Sequence, residues 1–229
     1  MKKKFEYFPK KKLFWGKAKE VPMTETQVPF SCKKIRSAAR DALRGNWAFA
    51  CIAAVLYEII TIVVRIPIND NTSSFLLSFC VAVIQSVFTI GFFACFLDII
   101  RRKPLTYSRL FFGYTSLRFF GKIIWTEILA SIFLLLWSLL LVIPGIVKAF
   151  SYSLVYFILI DHPEYSATEA ITKSREMMDG HKWELFKLFL SFIGWWILCI
   201  VTFGIAAIWV SPYFMTAFAK FYENLKDNA

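Results

Sequence analysis

The sequence IIWTEILASIFLLLWSLLLVIPGIVKAFSYSLVYFILI, residues 123–160, decides the fold class. As a single helix it would be about 57 Å long at about 1.5 Å per residue, whereas the apolar core of a bilayer is about 30 Å thick. The run is therefore long enough to cross a membrane twice. Pro144 and Gly145 lie near its middle, where proline removes a backbone donor and glycine permits a reversal. We expect one helix to end near Ile143 and the next to occupy residues 146–161.

The membrane thickness also divides the other apolar runs into single transmembrane helices. Residues 47–66 and 75–100 form two runs of the length that one transmembrane helix needs, about 20 residues. Residues 184–222 are again long enough for two helices, and we divide them at residues 202–204. Pro212 should kink the last of these helices. The count predicts six transmembrane helices.

The composition excludes an ordinary soluble domain. Of the 229 residues, 58% are hydrophobic and only 19% are charged, whereas soluble chains average roughly 45–50% apolar and about 25% charged. The excess apolar surface must face lipid. The sequence predicts an all-α polytopic membrane protein: a six-helix membrane domain over residues 31–229, with cytoplasmic amphipathic helices, after a basic aromatic tail over residues 1–30.

The net charge of +11 is concentrated at the start of the chain, where residues 1–44 hold thirteen of the 27 lysines and arginines against four acids. Short segments rich in Lys and Arg stay in the cytoplasm. An even number of spans then places both termini in the cytoplasm. Residues 105–122 alternate aromatic and basic side chains, and we interpret them as an interfacial cytoplasmic loop. The five cysteines lack a C-x-x-C spacing, so we expect neither disulfides nor a zinc site.

Two amphipathic helices are predicted on the cytoplasmic side. The first covers residues 34–44, and its basic face should touch lipid headgroups. The second begins at a capping box, in which Ser166 is followed three residues later by Glu169. Gly180 ends this helix. Its polar face is close to neutral, so we expect it to pack on the helix bundle.

Four polar side chains in the apolar runs are candidates for a functional site: Glu58, Gln85, Glu127 and Lys148. A charge near the bilayer centre is costly and often marks a functional or paired group. These residues indicate either a proton or cation relay or a polar cavity for a ligand headgroup. The alternative is that they form hydrogen bonds between helices without a further function. We expect Lys148 to snorkel to the outer surface.

A second group, His181, Lys182 and Trp183, precedes the fifth span. An imidazole titrates near neutral pH and could catalyse a reaction. The sequence has, however, no H-x-x-x-H, no G-x-S-x-G and no glycine-rich phosphate loop. We interpret the group as an interfacial anchor, with the tryptophan in the headgroups and the lysine in water. We expect no enzymatic activity, no cofactor and no metal.

The tail of residues 1–30 carries lysine runs at 2–4 and 10–12 between aromatic residues. Such an arm could bind nucleic acid or an anionic membrane. Beside a first transmembrane helix, each basic residue gains about 1 kcal/mol near an anionic leaflet. We therefore expect the lipid bilayer as a partner, with anionic lipid at the tail, and no nucleic acid.

Five stretches in order resemble one bacterial integral membrane family: ARDALRGNW at 39–47, IPGIVKAFSYS at 143–153, MMDGHKWELF at 177–186, SFIGW at 191–195 and Pro212-Tyr213. This family is catalogued as domain of unknown function 975. The resemblance covers about residues 33–225. It implies a multi-helix fold in the bacterial plasma membrane, without an activity to carry over.

Two functions remain open. The one we prefer is a non-enzymatic membrane module that associates with a transport, secretion or envelope-stress/bacteriocin-resistance system, with a membrane protein partner or a second copy of the chain. The other is a small-solute or lipid transporter whose polar site includes Glu58, Gln85 and Glu127. In that case the helices interrupted at Pro144 and Pro212 provide the moving parts.

Overall fold

The computed structural model describes residues 31–65, 75–140 and 142–227. The predicted tail and the polar loop at residues 69–74 lie outside these ranges. Within them the chain is helical and has no strand. The helices are α1 Cys32–Leu43, α2 Trp47–Arg65, α3 Phe75–Ile100, a 3₁₀ helix Tyr107–Tyr114, α4 Leu117–Leu140, α5 Val142–Tyr152, α6 Val155–Asp161, α7 Ala167–Met177, α8 Lys182–Ser191, α9 Ile193–Val201 and α10 Ala207–Asp227.

Three helical segments in the described part of the chain are long and apolar enough to cross a membrane. They are Val83–Ile100 in α3, Arg118–Trp137 in α4, and Lys182–Val201, which α8 and α9 form together. α1 and α2 qualify as a fourth when taken as one segment, although they are bent by 97°. The all-helical class is confirmed. The count of six spans stays a prediction.

The first helices begin and end close to their predicted positions. α2 starts at Trp47 and α3 ends at Ile100, directly before the basic sequence RRK. α1 is the predicted amphipathic helix, since its apolar residues Ile35, Ala39 and Leu43 are buried. Gly45 turns the chain between α1 and α2 with φ +83°, a backbone conformation that side chains with a Cβ rarely adopt.

The boundary between the two helices of the stretch 123–160 lies earlier than predicted. α4 ends at Leu140 and α5 begins at Val142, so Pro144 and Gly145 lie in the first turn of α5 rather than between two helices. Proline is tolerated there because the first N–H groups of a helix have no intrahelical partner. The predicted helix at 146–161 is also divided, because residues 153–154 separate α5 from α6.

The predicted interfacial loop at residues 105–122 is partly helical. It forms the 3₁₀ helix and the first turns of α4. The 3₁₀ helix lies so close to α3 that a Cβ atom on Gly91 would be 1.9 Å from the backbone oxygen of Leu110. A side chain at position 91 would therefore push the two helices apart.

The long run at residues 184–222 divides as predicted at Phe203 and Gly204, which have φ +50° and +89°. Its first half is interrupted once more, since Phe192 separates α8 from α9. Pro212 lies inside α10 as predicted. The hydroxyl of Thr216 donates to the backbone oxygen of Pro212 at 2.7 Å.

α3 is the central helix of the bundle. Of the residues in its apolar window, 61% are buried, against 17% in α4 and 22% in α8–α9. Phe93 of α3 contacts the rings of Phe157 in α6 and Phe218 in α10. The ring of Phe157 also stacks on Tyr222 with centroids 5.0 Å apart. The core therefore joins α3, α6 and α10 through aromatic side chains.

α7 packs against this bundle, as its near-neutral polar face predicted. The capping box is present: the Ser166 hydroxyl accepts from the Glu169 N–H, and the Glu169 carboxylate accepts from the Ser166 N–H. The apolar side of α7 contacts α4, α5 and α6. Ser174 is fully buried there and donates to the backbone oxygen of Ser151 at 2.8 Å.

Candidate functional site

Gln85 is the centre of a polar bridge between α2 and α3. Its Nε2 atom donates to the hydroxyl of Tyr57 at 3.1 Å and to the hydroxyl of Thr61 at 2.8 Å. The Tyr57 hydroxyl also bonds Thr89, one turn after Gln85 on α3, at 3.1 Å. Tyr57 and Thr61 were missed in the sequence, although their spacing of four places them on one face of α2.

One atom of this bridge is unsatisfied. Gln85 Oε1 is buried and accepts no hydrogen bond from any part of the chain that the structure describes. A buried polar atom without a partner costs about 1–3 kcal/mol. The carbonyl is therefore free to accept from a donor that is not part of the described protein.

The two predicted carboxylates do not join Gln85 in one cluster. Glu127 on α4 accepts a hydrogen bond from the hydroxyl of Tyr156 on α6. Glu58 is exposed on α2, and it makes no hydrogen bond or ion pair with another described side chain. Consecutive residues of a helix point about 100° apart, so Tyr57 faces α3 while Glu58 faces outward. The function of these residues stays a prediction.

Lys148, the fourth predicted residue, lies on α5 away from Gln85. Its Nζ atom is 4.6 Å from the centroid of the Trp137 ring on α4. A cation over an aromatic face is stabilised by the ring quadrupole. This contact holds the charge against the α4–α5 hairpin.

The predicted anchor residues lie at the start of α8. The imidazole of His181 is 2.7 Å from the carboxylate of Glu184, and Lys182 Nζ is 3.9 Å from Asp179. Trp183 is 61% exposed and stacks on Phe186. A half-exposed tryptophan beside charged side chains is typical of a headgroup region, and the anchoring role stays a prediction.

The densest charged cluster of the described chain was not predicted. Arg101, directly after α3, donates from its two Nη atoms to the Asp161 carboxylate at 2.5 and 2.6 Å, and from Nε to Glu223 at 2.8 Å. Asp161 also accepts from Lys226 at 2.7 Å and from the Tyr222 hydroxyl at 2.9 Å. We call these five residues the Asp161 cluster. It joins the ends of α3, α6 and α10.

A smaller ion pair lies beside it. Arg109 in the 3₁₀ helix donates to the buried carboxylate of Asp98 at 2.8 Å, and its guanidinium covers the ring of Phe112 at 4.3 Å. Lys103 approaches the other oxygen of Asp98 at 4.0 Å. The pair fixes the 3₁₀ helix against α3. Neither cluster resembles a metal site, and the described residues contain no group of three or more His, Cys, Asp or Glu side chains that could hold a metal ion.

A family model described as "Protein of unknown function (DUF975)" matches the chain over residues 30–151 and 138–229. The chain belongs to this family. The predicted family resemblance is thereby confirmed. No curated protein and no solved structure matches the chain.

In this DUF975 chain the Asp161 cluster is balanced in charge, with two cations and two carboxylates. The carboxylate of Asp161 is only 5% exposed. Burial disfavours its charged form, but hydrogen bonds from Arg101, Lys226 and Tyr222 and the attraction of Arg101 outweigh burial and lower the pKa of Asp161 to about 2. The chemistry of the cluster is therefore that of a fixed ion pair rather than a proton donor at neutral pH.

Replacing Asp161 with Asn keeps the side-chain size but removes the charge that Arg101 and Lys226 face. We expect the free energy of unfolding to fall by about 3 kcal/mol, the order of magnitude for breaking a buried ion pair. Thermal unfolding of the detergent-purified protein at neutral pH measures this. The control is Asp179→Asn, whose carboxylate is 87% exposed and whose loss should cost less than about 1 kcal/mol.

The same variant tests the pH dependence. The pKa of Asp161 is lowered from its ordinary value of 3.8, so the ionised carboxylate stabilises the fold above about pH 4 and this stabilisation is lost as the pH falls towards about 2. The difference in stability between the wild type and Asp161→Asn should shrink over this interval. A difference that stays constant down to about pH 2 would contradict the assignment.

Proposed function

We propose that this DUF975 chain is a non-enzymatic bacterial plasma-membrane protein that binds a membrane protein of a transport, secretion or envelope-stress/bacteriocin-resistance system. The observation that supports it is an exposed apolar stripe on α9. Ile193, Trp196, Ile197 and Ile200 follow one another at helical spacing, and each is 40–77% exposed. We call this stripe the α9 face.

The α9 face suits contact with another transmembrane helix. Helices associate in lipid through close packing rather than through the hydrophobic effect. In protein–protein interfaces, tryptophan is enriched among the few residues that carry most of the binding energy. Gly194 lies beside the stripe, and nothing lies within 4 Å of the position of an added Cβ there. A partner helix therefore has both an aromatic anchor and room for close approach.

The surroundings of the imidazoles favour a role without catalysis. His181 bonds the carboxylate of Glu184, and His162 bonds that of Glu164 at 3.0 Å and stacks on Tyr165. Nucleophilic catalysis needs a base within hydrogen-bond reach of a serine, cysteine or threonine. In the described residues both rings are paired with carboxylates instead.

The Asp161 cluster supports six membrane crossings. Arg101, Asp161 and Glu223 are in contact, so the ends of α3, α6 and α10 lie at one face of the bundle. Between Arg101 and Asp161 the chain passes through the apolar window of α4, so residues 142–160 must return to the same face. Between Asp161 and Glu223 the chain passes through the apolar segment of α8–α9, so the first part of α10 must also return to this face.

α2 and α3 form the remaining pair of crossings. Asn46, before α2, and Ile99, near the end of α3, line one cavity, so these helix ends also lie at one face. The basic residues that follow α3 and surround α1 support a cytoplasmic location of this face. Both termini are then cytoplasmic, and the partner that we propose for the basic residues 1–30 is anionic lipid rather than nucleic acid.

Reporter fusions test this topology. We expect alkaline phosphatase to be inactive after Ala229 and active when inserted at Gly204, with the opposite pattern for a fluorescent protein that folds only in the cytoplasm. Four crossings, by α1–α2, α3, α4 and α8–α9, would place both positions in the cytoplasm. A cytoplasmic Gly204 would therefore contradict six crossings.

Site-specific photo-crosslinking tests the partner. A photoreactive residue at Ile200, on the α9 face, should form one discrete adduct with an identified membrane protein of a transport, secretion or resistance system. The matched control is Ile62 on α2, which is also apolar and is 60% exposed. We expect only lipid adducts at Ile62.

Three outcomes separate the alternatives. The same protein adduct from both positions would show non-selective collision and contradict the proposal. Lipid adducts alone at Ile200 would also contradict it. An adduct of two copies of the chain would assign the α9 face to a homo-oligomer.

The second candidate function is a small-solute or lipid transporter. The unsatisfied Gln85 Oε1 atom favours it, because a donor group of a solute could occupy this position. Glu127 and Tyr156 provide a second polar pair between α4 and α6.

Substitution of the carboxylates distinguishes the two functions. If the protein is a transporter, Glu127→Gln should abolish movement of a solute that wild-type proteoliposomes take up, with unchanged protein abundance. The control is Glu176→Gln, which removes a carboxylate that is 58% exposed on α7, outside the predicted polar site. Loss of protein abundance alone would indicate that Glu127 only stabilises the helix packing. If the protein is a non-enzymatic membrane module instead, we expect no solute uptake by wild-type proteoliposomes.

A further inference from the structure

A cavity of about 590 Å³ lies between the turn that joins α1 to α2 and the segment that follows α3. Its charged lining consists of Asp41, Arg44, Arg102 and Lys103. Ala42, Asn46, Ile99, Pro104 and Leu105 complete it. The lining therefore combines charged side chains with apolar ones.

The cavity has an excess of positive charge. Three cationic side chains face one carboxylate, that of Asp41, which lies 3.4 Å from Arg44. Lys103 is 4.0 Å from Asp98, but Asp98 is held by the shorter bond from Arg109. Arg102 forms no ion pair with another described residue. At least one full positive charge is left for a ligand.

Arg102 is held in an unfavourable backbone conformation. Its φ is +52°, in the left-handed region that usually contains glycine at the end of a helix. The two backbone hydrogen bonds of such a helix end are present. The Lys103 N–H donates to the backbone oxygen of Asp98 at 3.0 Å, and the Arg102 N–H donates to the backbone oxygen of Ile99 at 3.1 Å. A glycine would form the same turn without strain. The chain thus carries a guanidinium at a position where its backbone favours glycine.

The level of the cavity along the apolar helices indicates which kind of anion it binds. The cavity is lined by Asn46, directly before α2, and by Ile99 in the last turn of α3, so it lies where two apolar helices reach one face of the bundle. Basic pockets at such a level bind the headgroups of acidic lipids, and arginine pairs well with phosphate oxygens. We propose that Arg44, Arg102 and Lys103 bind the phosphate of one acidic phospholipid of the cytoplasmic leaflet. This rests on the proposed membrane topology and is independent of the partner at the α9 face.

Native mass spectrometry of the full chain in detergent tests the proposal with phosphatidylglycerol and phosphatidylcholine as probes. We expect the wild type to retain one phosphatidylglycerol molecule and to bind it at least about tenfold more tightly than phosphatidylcholine. Arg102→Gly and Arg102→Gln should each weaken this binding about tenfold, the loss expected for one charge-assisted hydrogen bond. Arg102→Gly should unfold at the same temperature as the wild type or higher, because it also relieves the backbone.

The matched control is Arg118→Gln, which removes an exposed cation at the start of α4, outside the cavity. It should leave phosphatidylglycerol binding unchanged. Equal losses in Arg118→Gln and Arg102→Gly would overturn the proposal, because they would reflect general surface charge. Equal retention of the two lipids would also overturn it. Displacement of the lipid by millimolar inorganic phosphate would assign the cavity to a soluble phosphate and overturn the lipid assignment.

Discussion

The carboxylate of Asp161 is the constraint on which the arrangement of the helices depends. A buried charge must be paired and hydrogen-bonded, because its removal from water is otherwise too costly. Asp161 meets this requirement with Arg101 after α3 and with Tyr222 and Lys226 on α10. Three helix ends that are far apart in the sequence are thus held at one face. The proposed six crossings rest on this constraint, because the apolar helices between the three ends would leave this face and return to it.

The aromatic core continues from this cluster. Tyr222 donates to Asp161 with its hydroxyl while its ring stacks on Phe157, so one side chain belongs to both the ionic cluster and the apolar core. Phe93 and Phe218 extend the contact to α3 and α10. This packing explains why α3 is largely buried while α4 and α9 expose most of their apolar surface. Those exposed surfaces are available to lipid and to a partner helix.

A second layer of short helices packs on the long helices: α1 lies on α10 and α3, and the 3₁₀ helix lies on α3 and α4. Arg36 of α1 donates to the backbone oxygen of Ser191 at 3.2 Å. The 3₁₀ helix is held on α3 by Arg109 and by the close approach at Gly91. The cavity with Arg44, Arg102 and Lys103 opens where this layer meets the ends of α2 and α3. Its positive charge follows from the basic residues that end one apolar helix and precede another.

The sequence by itself determined the helical class, the family, the capping box at Ser166, the turn at Gly204 and the ends of α2 and α3. These features depend on local composition, on helical periodicity and on residues with special backbone preferences. It did not determine the helix boundary near Leu140, since proline fits the first turn of a helix as well as a loop. Gln85 could be chosen from the sequence because it interrupts an apolar run. Its partners Tyr57 and Thr61 could not, since they depend on how α2 faces α3. In the Asp161 cluster, Arg101 pairs with Asp161, which lies 60 positions later in the sequence, and with Glu223, which lies 122 positions later. Only the tertiary structure decides which distant charges meet, because their pairing depends on the packing of whole helices rather than on any local pattern.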